Sequence, residues 1–206
     1  MPKSVKDGGS PIGVDDQGVK ATAYKTGDNV TKVKDGKLNI SDDEAKASRA
    51  AQKDYCAKMS GIIGTDISNP PSVNAAKGYF KTLAKRGASS KEIQAEYKQY
   101  LKTFYKHPGG VEWSGGKPDP KNLDKQFKDQ PIAKDGKRMI DCEGYSALTE
   151  AVMGDLKKPN GQKMFDVLHA SPAGHVVTGV FPRGGDQRDG FVVDNHNVSG
   201  LRPDAR

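Results

Sequence analysis

Cysteine is scarce in this chain, and what is missing narrows its class. Only Cys56 and Cys142 are present, with no Cys-x-x-Cys spacing. That excludes a disulfide framework and a cysteine-ligated zinc site, leaving a single Cys56–Cys142 bridge as the one disulfide open to it. No stretch approaches the roughly 18 consecutive apolar residues of a membrane span. The first residues, Met1-Pro2-Lys3-Ser4-Val5-Lys6-Asp7-Gly8-Gly9, contain no apolar core for a cleaved secretory signal. The expectation is therefore synthesis in the cytoplasm, with secretion or delivery into another cell left to a specialised secretion system. Aromatic residues make up 7% of the chain and do not alternate with arginine, and no run of five like charges occurs. Both absences argue against an obligatory nucleic-acid partner. The phosphate loop G-x-x-x-x-G-K-[ST], the zinc helix H-E-x-x-H and the elbow G-x-S-x-G are all missing. Nothing in the sequence calls for a metal or an organic cofactor.

What is present suits one domain with an appendage: 206 residues, 34% hydrophobic, with 24 glycines and 12 prolines and a net charge of +7. The charge serves solubility first and would also favour an anionic partner such as cell-wall polymer. Residues 1–40 are polar and glycine-rich without a sustained period, which predicts a flexible polar leader, a tether for a secretion system or chaperone. A short hairpin around Asp35-Gly36 fits Val30 to Ile40. From 41 to 206 a catalytic domain is expected, with a helical part at 41–106, a loop at 107–138 and a core at 139–206. Ser41 with Glu44 and Ser89 with Glu92 form capping boxes. The first predicts a helix to about Met59. The second opens a helix whose apolar face is Ile93, Tyr97, Tyr100, Leu101 and Phe104, ending before Pro108. A helix between them fits Val73 to Arg86, closed by Gly87. The segment 107–138 reads as a long irregular loop forming one wall of a site. A helix from Cys142 to about Asp155, a loop at Lys157 to Gly161 and a short helix at Gln162 to Leu168 follow. Two strands, Val176 to Phe181 and Phe191 to Asp194, close the chain as a hairpin.

The chemistry concentrates in the last third. Cys142 opens a helix, so unpaired amide N–H groups and the helix dipole face its sulfur and favour an anion there. The same N–H groups can receive the oxyanion of a tetrahedral intermediate. His175 begins one strand and Asp194 ends the next, across a hairpin that can bring them together. A sulfur nucleophile, an imidazole base and an orienting carboxylate are what thiol catalysis needs. His169 is the rival base, and Asn195 and His196 are rivals for the third role.

These residues carry a resemblance. Asp141-Cys142-Glu143-Gly144-Tyr145 with Ala147-Leu148, then His175-Val176-Val177, then Val193-Asp194-Asn195, resembles the transglutaminase-like bacterial cysteine peptidases. The resemblance spans Asp141 to roughly Ser199. It implies an α+β, papain-like fold, with the nucleophile at a helix N-terminus packed on a small antiparallel sheet. It also implies Cys142 as nucleophile, His175 as base and Asp194 as orienter. The Asp-Cys-x-Gly-aromatic motif is similar to that of NlpC-type cell-wall peptidases too, though Glu143 stands where those usually carry serine. An upstream glutamine often completes the oxyanion hole in papain-like enzymes, and Gln126 and Gln130 are the candidates. The expected function is a cysteine-dependent hydrolase of amide bonds, a protease or a peptidoglycan amidase or endopeptidase, in the role of a delivered bacterial effector or toxin. Its substrate would be protein or the peptide part of peptidoglycan. The alternatives are a transglutaminase or deamidase acting on protein glutamine, and a non-catalytic interaction module on a degenerate thiol-hydrolase fold.

Overall fold

The structure is a computed structural model that describes residues 33–34, 37–38, 40–107, 118–172 and 174–201. Most of the expected leader lies outside these residues. Within it, β1 (Val33–Lys34) and β2 (Lys37–Leu38) pair antiparallel, as the hairpin read from the sequence requires.

Three helices follow, each started by a serine. In α1 (Asp42–Ile63) and α3 (Ser90–Phe104), the Ser41 and Ser89 hydroxyls accept from the N–H of Glu44 and Glu92, whose carboxylates return to the serine N–H. In α2 (Val73–Lys85), Ser72 caps Ala75 at 3.0 Å. Such caps satisfy donors that a helix start leaves unpaired. α1 runs a turn beyond Met59 and stops at Gly64, whose φ of +75° suits only glycine well. The predicted face of α3 is fully buried, all five residues at 0% exposure. Its aromatics join Tyr55, Phe80 and Tyr105 in edge-to-face and tilted ring contacts. Rings so arranged bury large apolar area and add roughly 1 kcal/mol per pair beyond it.

The segment 107–138 departs from the expected loop. α3 hands over directly to β3 (Tyr105–Lys106), which pairs in parallel with β4 (Arg138–Met139). Between them α4 (Leu123–Lys128) tucks Leu123 and Phe127 into the core. Two apolar positions in a polar stretch are too few to show a period, which is why pattern reading misses this helix. Behind β3, Lys106 and Asp135 form a buried ion pair at 2.9 Å, each 5% exposed. The amide of Gln52 donates to the carbonyl of Asp135 at 2.9 Å.

α5 (Cys142–Met153) packs between α2 and the main sheet, and its residues from Gly144 to Met153 are buried apart from Glu150. A helix apolar nearly all round belongs in the centre of a fold. The sheet is antiparallel in the order β5-β6-β7-β8: Phe165–Ala170, Val177–Pro182, Phe191–Asp194 and Asn197–Gly200. The fold is thus α+β. Two of its strands were not anticipated. The helix expected at Gln162 to Leu168 is β5, paired residue for residue with β6. Phe165, Val167 and His169 alternate with Asp166 and Leu168, a period of two that the short run obscured. β8 follows β7 through a two-residue turn at Asn195-His196, where Asn195 takes φ +51°. Asparagine tolerates that left-handed conformation better than most residues.

Candidate active site

Cys142 is the first residue of α5. The carboxylate of Asp141 accepts from the Gly144 N–H at 2.9 Å and so fixes where the helix begins. Both cysteines are free, so the structure contains no Cys56–Cys142 bridge. Cys142 is half-buried and Cys56 buried, with the Cys56 thiol 3.5 Å from the carbonyl of Ser68. Burial pushes the Cys56 thiol pKa up, as expected of an inert core thiol.

His175 enters β6 through a turn closed by its own N–H on the Pro172 carbonyl, 3.0 Å away, with Gly174 at φ +82°. Its Nε2 lies 2.7 Å from Asp194 Oδ1, and both residues are only 7% exposed. A carboxylate can only accept, so the proton of this bond sits on Nε2. Nδ1 is then the nitrogen able to accept a proton, and Cys142 is near enough to act on the charge of the ring. Burial pulls the His175 pKa down. The bond to Asp194, the nearby Cys142 sulfur and the charges of both outweigh it, leaving the imidazole at about 9. The register explains how residues 19 apart in sequence meet: Thr178 opposes Val193, so the ends of β6 and β7 converge where His175 and Asp194 stand.

Of the rivals, His169 points along α5 instead, bonded to Ser146 and Glu150. It lies within a strand, β5. Asn195 and His196 occupy the turn beyond Asp194, and neither takes the place of the carboxylate on His175. Gln126 uses its Oε1 to accept from the Asp119 N–H at 2.9 Å, and Gln130 is buried after α4.

Two further histidines belong to the neighbourhood: His196, already named as a rival for the third role, and His107, which was missed. His107 follows β3, and the Ile140 N–H donates to the carbonyl of Lys106 at 3.0 Å, so His107 comes alongside the entry to α5. Burial pushes its pKa down, the Asp141 and Asp194 carboxylates oppose that, and His175 adds to the fall. His196 is pushed to about 4, chiefly by burial and then by His107, Lys102 and Lys137. Its Nδ1 and the Oδ1 of Asn195 are buried without a hydrogen-bond partner among the described residues. Only parallel pairing between distant segments brings His107 here, and no local pattern marks it. The start of the expected loop does flank the site, while residues 108–117 lie outside the described residues. No cluster of three metal-ligating side chains occurs among the described residues, and no helix there is long and apolar enough to cross a membrane.

No protein-family model, curated protein or solved structure matches this chain.

Proposed function

We propose that the protein is a cysteine-dependent hydrolase of amide bonds, built on a papain-like core, with Cys142 as nucleophile, His175 as base and Asp194 as orienter. The observation that carries this reading is the buried His175–Asp194 hydrogen bond of 2.7 Å, beside a half-buried thiol at a helix N-terminus. A histidine so oriented has one nitrogen committed to the carboxylate and one turned to sulfur, the arrangement that makes imidazole a base for a thiol.

In this mechanism His175 already holds the thiol proton, as an imidazolium beside the Cys142 thiolate, and the thiolate attacks the carbonyl carbon of an amide. The N–H groups at the start of α5 receive the negative oxygen. His175 then gives the proton to the departing amine, which leaves a thioester on Cys142. Water attacks the thioester with His175 again as base, releasing a carboxylic acid and the free thiol. Peptide amides of protein or of peptidoglycan are the substrates in keeping with the basic chain, and a delivered effector or toxin is the corresponding biological role.

The decisive experiment compares alkylation of the two cysteines by iodoacetamide, read by peptide mass spectrometry. Cys142 should react much faster than Cys56 at pH 7, and His175→Ala should remove the difference. Equal, slow reaction of both would sink the hydrolase and favour a non-catalytic interaction module. With the pair established, Cys142→Ala should abolish cleavage in a screen of isolated cell wall and denatured protein.

A further inference from the structure

The face of α5 that carries Cys142 carries two more polar side chains at helical spacing, Ser146 and Glu150. The proposed reaction uses neither, and both meet a single histidine. Ser146 Oγ is 2.6 Å from His169 Nδ1 and 2.9 Å from Thr178 Oγ1, while His169 Nδ1 is 3.2 Å from the same threonine hydroxyl. On the other side of the ring, Nε2 is 2.9 Å from Glu150 Oε2. The carboxylate accepts from Nε2–H. Nδ1 then accepts the Ser146 hydroxyl proton, or donates to Ser146 Oγ when the ring is charged. Either way each member has a partner.

This chain of bonds runs from the solvent edge into the helix–sheet interface. His169 and Glu150 stand at the rim with side chains 35% and 49% exposed, whereas Ser146 and Thr178 are 7% and 1% exposed. The sheet face around Thr178 is apolar, with Val180 two residues along β6 and Val193 opposite Thr178 on β7, both buried. Apolar packing sets how closely a helix approaches a sheet but tolerates small rotations and slides. Hydrogen bonds are directional and resist both. Ser146 is one turn from Cys142 on α5, and Thr178 is three residues from His175 along β6. The network therefore joins the two elements that present nucleophile and base. Ser146 is not a second nucleophile: its hydroxyl is buried against Thr178, and a residue past the first turn has no unpaired amides beside it for an oxyanion.

We propose that Glu150, His169, Ser146 and Thr178 form a positioning network that fixes the rotation of α5 on β6, and through it the approach of the Cys142 sulfur to His175. This rests on reading Cys142 and His175 as nucleophile and base. The test uses the full chain with His169→Ala, His169→Asn, which keeps a polar group where Nδ1 lies, and His169→Gln, which keeps one where Nε2 lies. Ile93→Ala, a core truncation on α3, controls for lost stability. Misplacement of reacting groups by about an ångström costs up to about a hundredfold. His169→Ala should accordingly slow Cys142 alkylation at pH 7 by about tenfold or more and lower the His175 titration midpoint seen by NMR. His169→Asn should restore most of both, and His169→Gln and Ile93→Ala should leave the loss and the wild-type behaviour respectively. A folded His169→Ala with wild-type rate and midpoint overturns the proposal, as does an equal loss in Ile93→Ala or no restoration by asparagine. If wild-type Cys142 is as slow as Cys56, yet the His175 midpoint still falls in His169→Ala and returns in His169→Asn, the positioning stands and the hydrolase reading falls.

Discussion

Removing the Asp194 carboxylate should change His175 in a way that can be sized from the structure. The rise from 6.5 to about 9 corresponds to about 3 kcal/mol in favour of the charged ring. Burial works against that rise, so Asp194 and Cys142 together supply more than the net amount. In Asp194→Ala the thiol's contribution remains while the nearest carboxylate is gone. An opposite charge in contact moves a pKa by roughly 1 to 3 units, so the midpoint should fall by at least about one unit. Asp194→Asn keeps an acceptor without the charge and should lie between. Stability follows with a definite sign. Below 6.5 the ring is charged in both folded and unfolded chains, and the stabilisation is complete. It is lost as pH rises from there through about 9. Urea denaturation at pH 6 and pH 9.5 should thus show a larger loss for wild type than for Asp194→Ala. The direct assay is NMR titration of the His175 ring, assigned by its loss in His175→Gln. A midpoint still near 9 in folded Asp194→Ala would refute the assignment of Asp194 as the charge that holds the base.

Two other expectations concern the frame. Lys106→Met leaves Asp135 buried, with Lys137 as the nearest remaining cation at 4.0 Å, and should cost about 3–5 kcal/mol in chemical denaturation. Adding Asp135→Leu should recover most of it, and a single-variant loss under about 1 kcal/mol would show that the pair is not buried as described. His196 is held neutral, with its pKa pushed from 6.5 to about 4. Its stabilisation is complete above 6.5 and is lost as pH falls through about 4. His196→Gln should therefore flatten the acid limb of the stability curve, and an unchanged limb would place the acid sensitivity elsewhere.

The helical half was legible because each start carries a local signature: two capping boxes, and a face on α3 with regular spacing. The positions of Cys142, His175 and Asp194 at element boundaries were legible for a related reason, since composition marks those boundaries. β5 was not. Six residues of alternating character can be read either way, and pairing with β6 decides the matter. α4, β3 and β4 depend on contacts between segments far apart in sequence. His107 comes to the site by the same route, and His169 acquires its partners only when β5 lies beside α5. Periodicity reports what a segment can bury, not which distant segment it will meet.

The parallel pairing of β3 with β4 ties a knot at the neck of everything between them. With the Ile140 amide on the Lys106 carbonyl and Lys106 clasping Asp135, the chain leaves and returns through one gate just before Cys142. Within that excursion α4 and Asp135 are tied into the core, so a change of length is tolerated best between His107 and α4, where doubling a loop costs only about 0.6 kcal/mol. The spacing of His107, Asp141 and Cys142 would stay unaltered: a fixed doorframe behind a replaceable porch.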